Sequence, residues 1–422
     1  MRLAFVVHRP TDYKLFGSPI ERALKRGWQV ECWHDYEQPR EGPKHYRFPD
    51  VAGCPRFQHG QPDVLSYSSA ATLAERVGRG ETDAVVSTGT AWSDTAGATL
   101  VNRPLWTCLQ EGIDTFINNP VDIVDRCDLL ALHSPWWAEW AASYYASTAG
   151  LADPETCRAQ LDSRSDFVGR FDVDAARLVD RCEVRQRWQI PADQPVVVLL
   201  PFPQGVGRNT FWPRNVFTQP SRARRLLSVA AHGQFRYWQK AWDNANDDAV
   251  VAAVRKFCDR NGAFLLVKSR VKTPIPEYTQ AVADKCVYDE SFYPSTVIEA
   301  LSIARVCINY YSGGVLEAAA LGVPNVCVTF HAEDYAEDGV GKSYLPDFFS
   351  NKERGIFQFE GVSSTLSIEE AIADLPSRDI DDLSIDPVAR QEYVRKFLGW
   401  GDGQCGERLV DMVASRVGQA AT

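Results

Sequence analysis

The stretch Asn309-Tyr310-Tyr311-Ser312-Gly313-Gly314-Val315-Leu316-Glu317-Ala318-Ala319-Ala320-Leu321-Gly322-Val323-Pro324 decides how this chain is read. The apolar run 306–310 reads as a buried strand, Ser-Gly-Gly as a turn, and the residues after it as the start of a helix. In open parallel sheets, ligands bind beyond the carboxyl ends of the strands, which is where this turn falls. Two glycines let backbone come close to a ligand, and a helix start attracts an anion such as a phosphate. Ser312 can cap the helix or donate to that phosphate. Glu317 follows within the first turns, near enough to reach a ribose whose phosphates sit on the turn. The same residues also fit an ordinary capped helix, with Glu317 complementing the dipole.

Outward from this stretch, short apolar runs alternate with amphipathic segments. Strands are expected at Val196–Leu200, 264–267, 286–288 and Asn325–Thr329, and in the first half at 3–7, 30–33, 84–86, 105–108 and Leu129–Leu132. Helix patterns lie between them. Residues 19–26 put Ile20, Ala23 and Leu24 on one face and end at Gly27, and residues 69–77 do the same ahead of Gly78. Strands separated by helices imply βαβ units and parallel sheets. Residues 151–195 are rich in Asp and Arg and have no strong strand. Within them 174–188 reads as a helix, with Ala175, Leu178, Val179 and Cys182 at helical spacing. The chain is thus expected to be α/β, with two doubly wound domains facing a cleft, at 1–189 and 190–386. Residues 387–422 are expected as helices, the last crossing back to the first domain.

The chain has 422 residues, with 45 Lys and Arg against 55 Asp and Glu, a net charge of −10. That balance argues against a general nucleic-acid binder, so no nucleic-acid partner is expected. The 11 cysteines are scattered, with no CxxC pair, which points to reduced thiols in a cytoplasmic setting. No apolar run approaches the ~20 residues of a membrane span. A peripheral contact at the inner face of the membrane stays open, and nothing in the sequence speaks to oligomeric state.

Other strand ends supply further candidates. Leu265-Leu266-Val267 runs into Lys268-Ser269-Arg270-Val271-Lys272, cations suited to a diphosphate, or equally a solvated loop. The strand 196–200 leads into a Pro/Gly loop holding Gly205 and Arg208, which is neither a P-loop nor a dinucleotide fingerprint. In the first domain, His8 follows the first strand and is a candidate general base, with Asp12 orienting it or acting instead. Glu111 is a second candidate base. Ser87-Thr88 and His133-Ser134 could line the same cleft, and Trp136, Trp137 and Trp140 suit a core as well as a sugar. No HExxH, cysteine cluster or DxD-like pair marks a metal site, so neither a metal nor a bound cofactor is expected.

The stretch from Asn309 to Pro324 resembles the late nucleotide-binding motif of GT-B fold glycosyltransferases and their relatives. The resemblance implies two Rossmann-like domains, a phosphate role for Ser312, Gly313 and Gly314, and a ribose role for Glu317. The segment Leu265-Leu266-Val267-Lys268 is similar to a strand-plus-Lys segment of the same group. The tail Tyr393-Val394-Arg395-Lys396-Phe397-Leu398-Gly399-Trp400-Gly401-Asp402-Gly403-Gln404-Cys405-Gly406-Glu407-Arg408 resembles that of CDP-glycerol glycerophosphotransferase-like and surface-polysaccharide transferases. Arg305 stands where these families usually carry an Asp, and the HG motif and TDYSS-like segment of the glycerophosphotransferases are not recognisable. The expected function is a metal-independent glycosyltransferase in surface glycan synthesis, with a nucleotide-sugar donor and a glycan or small-molecule acceptor. Three alternatives are a CDP-polyol phosphotransferase, a non-hydrolysing UDP-sugar 2-epimerase and a non-catalytic nucleotide-sugar-binding protein.

Overall fold

The computed structural model describes residues 1–35, 54–89, 103–113, 115, 126–148, 153–201, 247–269, 275–288, 292–310, 312–329 and 354–420. Contacts divide the chain into two compact units. The first comprises Met1–Arg181, Asp289–Ser302 and Arg390–Thr422, and the second Cys182–Tyr288 and Ile303–Ala389. The expected ranges do not foresee the short piece Asp289–Ser302 in the first unit. Gly17 explains its seat there, since the Tyr293 ring fills the space a side chain at position 17 would need.

The first unit holds seven parallel strands in the order β3-β2-β1-β4-β5-β6-β7. They are β1 Arg2–Val7, β2 Gln29–Asp35, β3 Asp63–Tyr67, β4 Ala84–Ser87, β5 Leu105–Leu109, β6 Leu129–Leu132 and β7 Ser165–Phe167. The five expected strands are present, and β3 and β7 are additional. Leu3, Phe5 and Val7 pack with Phe16 and Ile20 of the helix Tyr13–Lys25 and with Leu409 and Val413 of the terminal helix Cys405–Ala420. The terminal helix therefore crosses back onto the first unit, as expected.

Two helices differ from expectation. The first begins at Tyr13, so Pro19 lies inside it rather than at its start. Tyr13, Phe16, Ile20 and Ala23 keep one buried stripe running through the proline, and that burial outweighs the one backbone donor lost. The expected helix 174–188 is split into a 3₁₀ segment Phe171–Leu178 and a helix Arg181–Trp188, with Val179 extended between them. Tertiary anchoring of Asp174 overrides the helical spacing there. Its carboxylate accepts from Ser18 Oγ at 2.7 Å and from the backbone N–H of Cys405 and Gly406 at 3.2 and 2.8 Å.

Beneath the first helix, Tyr13 and His34 Nε2 share a hydrogen bond of 2.7 Å. Burial holds the His34 imidazole down to about 4 from an ordinary 6.5. The same cause, joined by the charge of Arg170, pushes the fully buried His133 well below its usual range. A histidine depressed by folding stabilises the fold above its unfolded pKa and loses that contribution as pH falls through the folded one. His34 is therefore expected to contribute about 3 kcal/mol at neutral pH, all of it gone below pH ~4. Urea unfolding followed by tryptophan fluorescence should lose stability between pH ~7 and ~4. His34→Gln should flatten that loss by about 3 kcal/mol; an equal loss in both proteins would contradict the assignment.

The second unit holds six parallel strands in the order β10-β9-β8-β11-β12-β13. They are β8 Val196–Leu200, β9 Phe264–Lys268, β10 Lys285–Val287, β11 Val306–Asn309, β12 Asn325–Thr329 and β13 Ser363–Ser367, the last not expected from sequence. One face is apolar. Val197, Leu199, Leu265 and Ile308 pack there on Val254 and Phe257 of the helix Asp247–Arg260. Side chains alternate across a strand, so Leu200, Lys268 and Asn309 take the opposite face. Among the described residues, no helix is long and apolar enough to cross a membrane.

Candidate functional site

In the second unit, the register pairs Asn309 with Leu200 and Leu199 with Val267. Lys268, Leu200 and Asn309 therefore form one row at the carboxyl edge, with Lys268 and Asn309 about 10 Å apart across β8. Lys268 is 6 % exposed and ends β9, so it is a buried residue and not part of a solvated loop. Arg270, Gly205 and Arg208 lie outside the described residues.

Past Asn309 comes the Ser-Gly-Gly turn and the helix Gly314–Ala320. At Gly314 a Cβ would lie 2.5 Å from Leu200 Cδ1, so a larger residue there would have to turn the Leu200 side chain aside. Gly313 is different. Its backbone is ordinary helical at φ −54° and ψ −18°, and among the described residues nothing lies within 4 Å of a Cβ placed on it. Local packing of those residues does not require this glycine, whereas close approach of a ligand would.

Most N–H groups of the turn are used internally. Ser312 donates to Asn309 Oδ1 at 3.0 Å and Gly314 to Ser312 Oγ at 3.2 Å. Val315 and Leu316 donate to the carbonyls of Ser312 and Gly313. Among the described residues, the donors left to an anion are the Ser312 hydroxyl proton and the Gly313 N–H, both on half-buried residues. Glu317 is 5 % exposed, and burial together with its charge pushes the Cys307 thiol up, which places the carboxylate close to the sheet.

In the first unit, His8 and Asp35 fall next to one another because Val7 pairs with His34 one residue earlier. His8 Nδ1 lies 3.0 Å from Asp35 Oδ2. The His8 side chain is 22 % exposed and that of Asp35 only 4 %. Asp12, expected to orient the ring, instead accepts from the backbone N–H of His8 and Arg9 at 2.8 and 3.0 Å. Burial raises its carboxyl, while His8 and those N–H groups oppose the rise. Asp35 is the residue sequence reasoning missed. Its signal was its place at the end of β2, since neighbouring parallel strands bring their ends together.

The remaining candidates separate. Glu111 is exposed and lies beyond β5, two strands from β1, so its row is about 10 Å from that of His8. Ser87 is buried and accepts from Trp106 Nε1 at 3.1 Å. Ser134 and Trp137 donate to the carbonyls of Lys396 and Phe397, so they fasten the C-terminal segment. Trp137 and Trp140 are buried, and half-buried Trp136 packs edge-on against Phe397, so these rings are structural. Among the described residues, no group of three His, Cys, Asp or Glu is placed to hold a metal ion.

Two parallel α/β units with this order of elements are the fold of the GT-B enzymes. No family model matches the chain, and a search of curated proteins finds no match in sequence. Solved structures do match. The wall teichoic acid polymerase TagF is 10% identical over 100% of this chain and 90% of its own, with a TM-score of 0.56. An S. aureus MnaA–UDP co-structure is 11% identical over 99% of this chain and 97% of its own, with a TM-score of 0.54. The UDP-GlcNAc 2-epimerase of Neisseria meningitidis, bound to UDP-GlcNAc, is 10% identical over 98% of this chain and 100% of its own, with a TM-score of 0.53. At these identities the likeness is one of fold.

Proposed function

We propose that the chain is a nucleotide-sugar glycosyltransferase that moves a sugar to an acceptor hydroxyl in surface-glycan synthesis. The observation that carries this reading is the 3.0 Å contact between His8 Nδ1 and Asp35. A carboxylate only accepts hydrogen bonds, so a neutral His8 ring turns its proton on Nδ1 toward Asp35, and Nε2 is the nitrogen assigned as the base. Nε2 takes the acceptor's hydroxyl proton as its oxygen attacks the sugar carbon and the nucleotide leaves. On the second unit, Ser312 and Gly313 donate to a donor phosphate, Glu317 accepts from the ribose, and Lys268 offsets the charge of the departing phosphate. Arg270, Arg208 and Gly205 are assigned supporting contacts to the same donor.

Two other reactions have support from likeness of fold. An epimerase would use several carboxylates of the first unit, but Asp12 and Asp35 are buried and already accept hydrogen bonds. It would also convert its nucleotide sugar without any acceptor. A polyol-phosphate transferase would release a nucleoside monophosphate where a glycosyltransferase using a diphosphate-linked sugar releases a diphosphate.

Thermal shift against UDP, GDP, CDP, CMP and dTDP tests the donor site, since a ligand at ~100 times its Kd adds roughly 2.7 kcal/mol. No shift with any of them would count against a nucleotide donor. Glu317→Gln is expected to weaken the responding nucleotide about 10- to 100-fold. The 2′,3′-dideoxy form of that nucleotide should bind both proteins alike, because it offers no ribose hydroxyl. An equal effect on both nucleotides would remove Glu317 from the ribose.

A further inference from the structure

Behind the Ser312 turn, three buried polar side chains cross the sheet in single file. Asn309, Asn325 and Ser363 are 0 %, 2 % and 4 % exposed, on β11, β12 and β13. Asn309 Oδ1 accepts from Ser312 N at 3.0 Å. Asn309 Nδ2 donates to Asn325 Oδ1 at 2.7 Å, and Asn325 Nδ2 donates to Ser363 Oγ at 2.8 Å. Ser363 Oγ in turn donates to the Phe357 carbonyl at 2.7 Å.

The direction of this chain follows from its two ends. A backbone N–H can only donate, so Asn309 must show it an oxygen and turn its amide nitrogen toward Asn325. Asn325 must then present its own oxygen to Asn309 and its nitrogen to Ser363. The Ser363 proton is left for a carbonyl, which can only accept. Reversing one amide would set two donors or two acceptors face to face in a buried site, at the cost of an unsatisfied group. Apolar residues would fill this face with less risk, so the polar relay has a task beyond packing.

We infer that Asn309, Asn325 and Ser363 are positioning residues that hold the Ser312 hydroxyl and the Gly313 N–H in register for the anionic group of a nucleotide. The inference rests on the donor site proposed above, but the relay can also be measured without a ligand. Ser363 is the informative position, because it stands two side chains away from Ser312 and touches no proposed ligand contact. Ser363→Ala removes the hydroxyl that orients Asn325, and Ser363→Thr keeps it on a residue that suits a strand.

The test measures UDP and CDP affinity by calorimetry and amide exchange by mass spectrometry. The proteins compared are wild type, Ser363→Ala, Ser363→Thr, Ser312→Ala and Ser312→Ala/Ser363→Ala. Ser363→Ala is expected to raise Kd about 5-fold, Ser363→Thr to match wild type, and the double variant to match Ser312→Ala, since coupled sites are non-additive. Exchange at 312–316 should quicken in Ser363→Ala while the helix Asp247–Arg260 stays unchanged. Unchanged exchange at 312–316, or the same Kd ratio in both backgrounds, overturns the relay. Quickened exchange at 312–316 in Ser363→Ala, in a protein whose wild type binds none of UDP, GDP, CDP, CMP and dTDP, supports the relay and overturns the nucleotide reading instead.

Discussion

A His8→Ala variant is expected to bind its nucleotide like wild type and to turn over about 10²- to 10⁴-fold more slowly, the usual worth of a positioned general base. The separation arises because the proposed donor contacts lie in the second unit, while His8 belongs to the first. Folding should be spared. The interaction that shapes the loop is the His8 backbone N–H to Asp12, which alanine keeps. Asp35→Asn is the sharper variant. An asparagine amide can donate to Nδ1, which would move the ring proton to Nε2 and block the base with little change in shape. Its kcat should fall nearly as far as that of His8→Ala, and the double variant should be no slower than either alone. The readout is nucleotide release with a mixture of glycan and polyol acceptors. Full activity in Asp35→Asn would mean that Nε2 is not the base.

How far the sequence reaches can be seen residue by residue. Strands buried on both faces announce themselves as apolar runs, so β1, β8 and β9 are legible at once. β13 is not, because Ser363, Thr365 and Ser367 take the face of the polar column and Ser364 shares the other face with Leu366, which is the strand's one apolar residue. β3 lies at an edge and is half exposed, and β7 is three residues long, so neither produces a run. The Ser312–Glu317 turn is local in sequence and could be found without a structure. Its support is not, since Asn309, Asn325 and Ser363 become neighbours only through the register of three strands. The same holds for His8 and Asp35. The sequence offers His8 an acidic neighbour at Asp12, but the ring reaches across to the next strand instead, because local spacing carries no information about sheet register.

The largest loss of stability is expected at Asp174, which no apolar pattern singles out. The residue is 1 % exposed, and its carboxylate stands at the start of the terminal helix, where the first N–H groups lack partners within the helix. It accepts from two of them, Cys405 and Gly406, and from Ser18 Oγ on the first helix. One side chain thus caps one helix and ties it to another, with negative charge at the favourable end of the dipole. Gly406 lets the helices come close enough for this, because a Cβ there would stand 2.7 Å from the Ser18 carbonyl carbon and 2.9 Å from Pro19 N. Hydrogen bonds to a charged group contribute about 1.5–3 kcal/mol each, and their loss leaves the N–H groups of both Cys405 and Gly406 without this acceptor. Asp174→Ala is therefore expected to cost about 3–5 kcal/mol, near the upper end for a single substitution. Asp174→Asn, which keeps one acceptor oxygen, should cost about half as much. Gly406→Ala should match Asp174→Ala by a different route, since it forces the helices apart, and the two losses should not add because they break one junction. Denaturant melts of five proteins measure this: wild type, the three single variants and the double variant Asp174→Ala/Gly406→Ala. A loss under about 1 kcal/mol for Asp174→Ala would mean that water replaces the carboxylate, and that the junction is held by the apolar contacts of Leu409 and Val413 and by the ion pairs of Arg26 with Glu407 and Asp411.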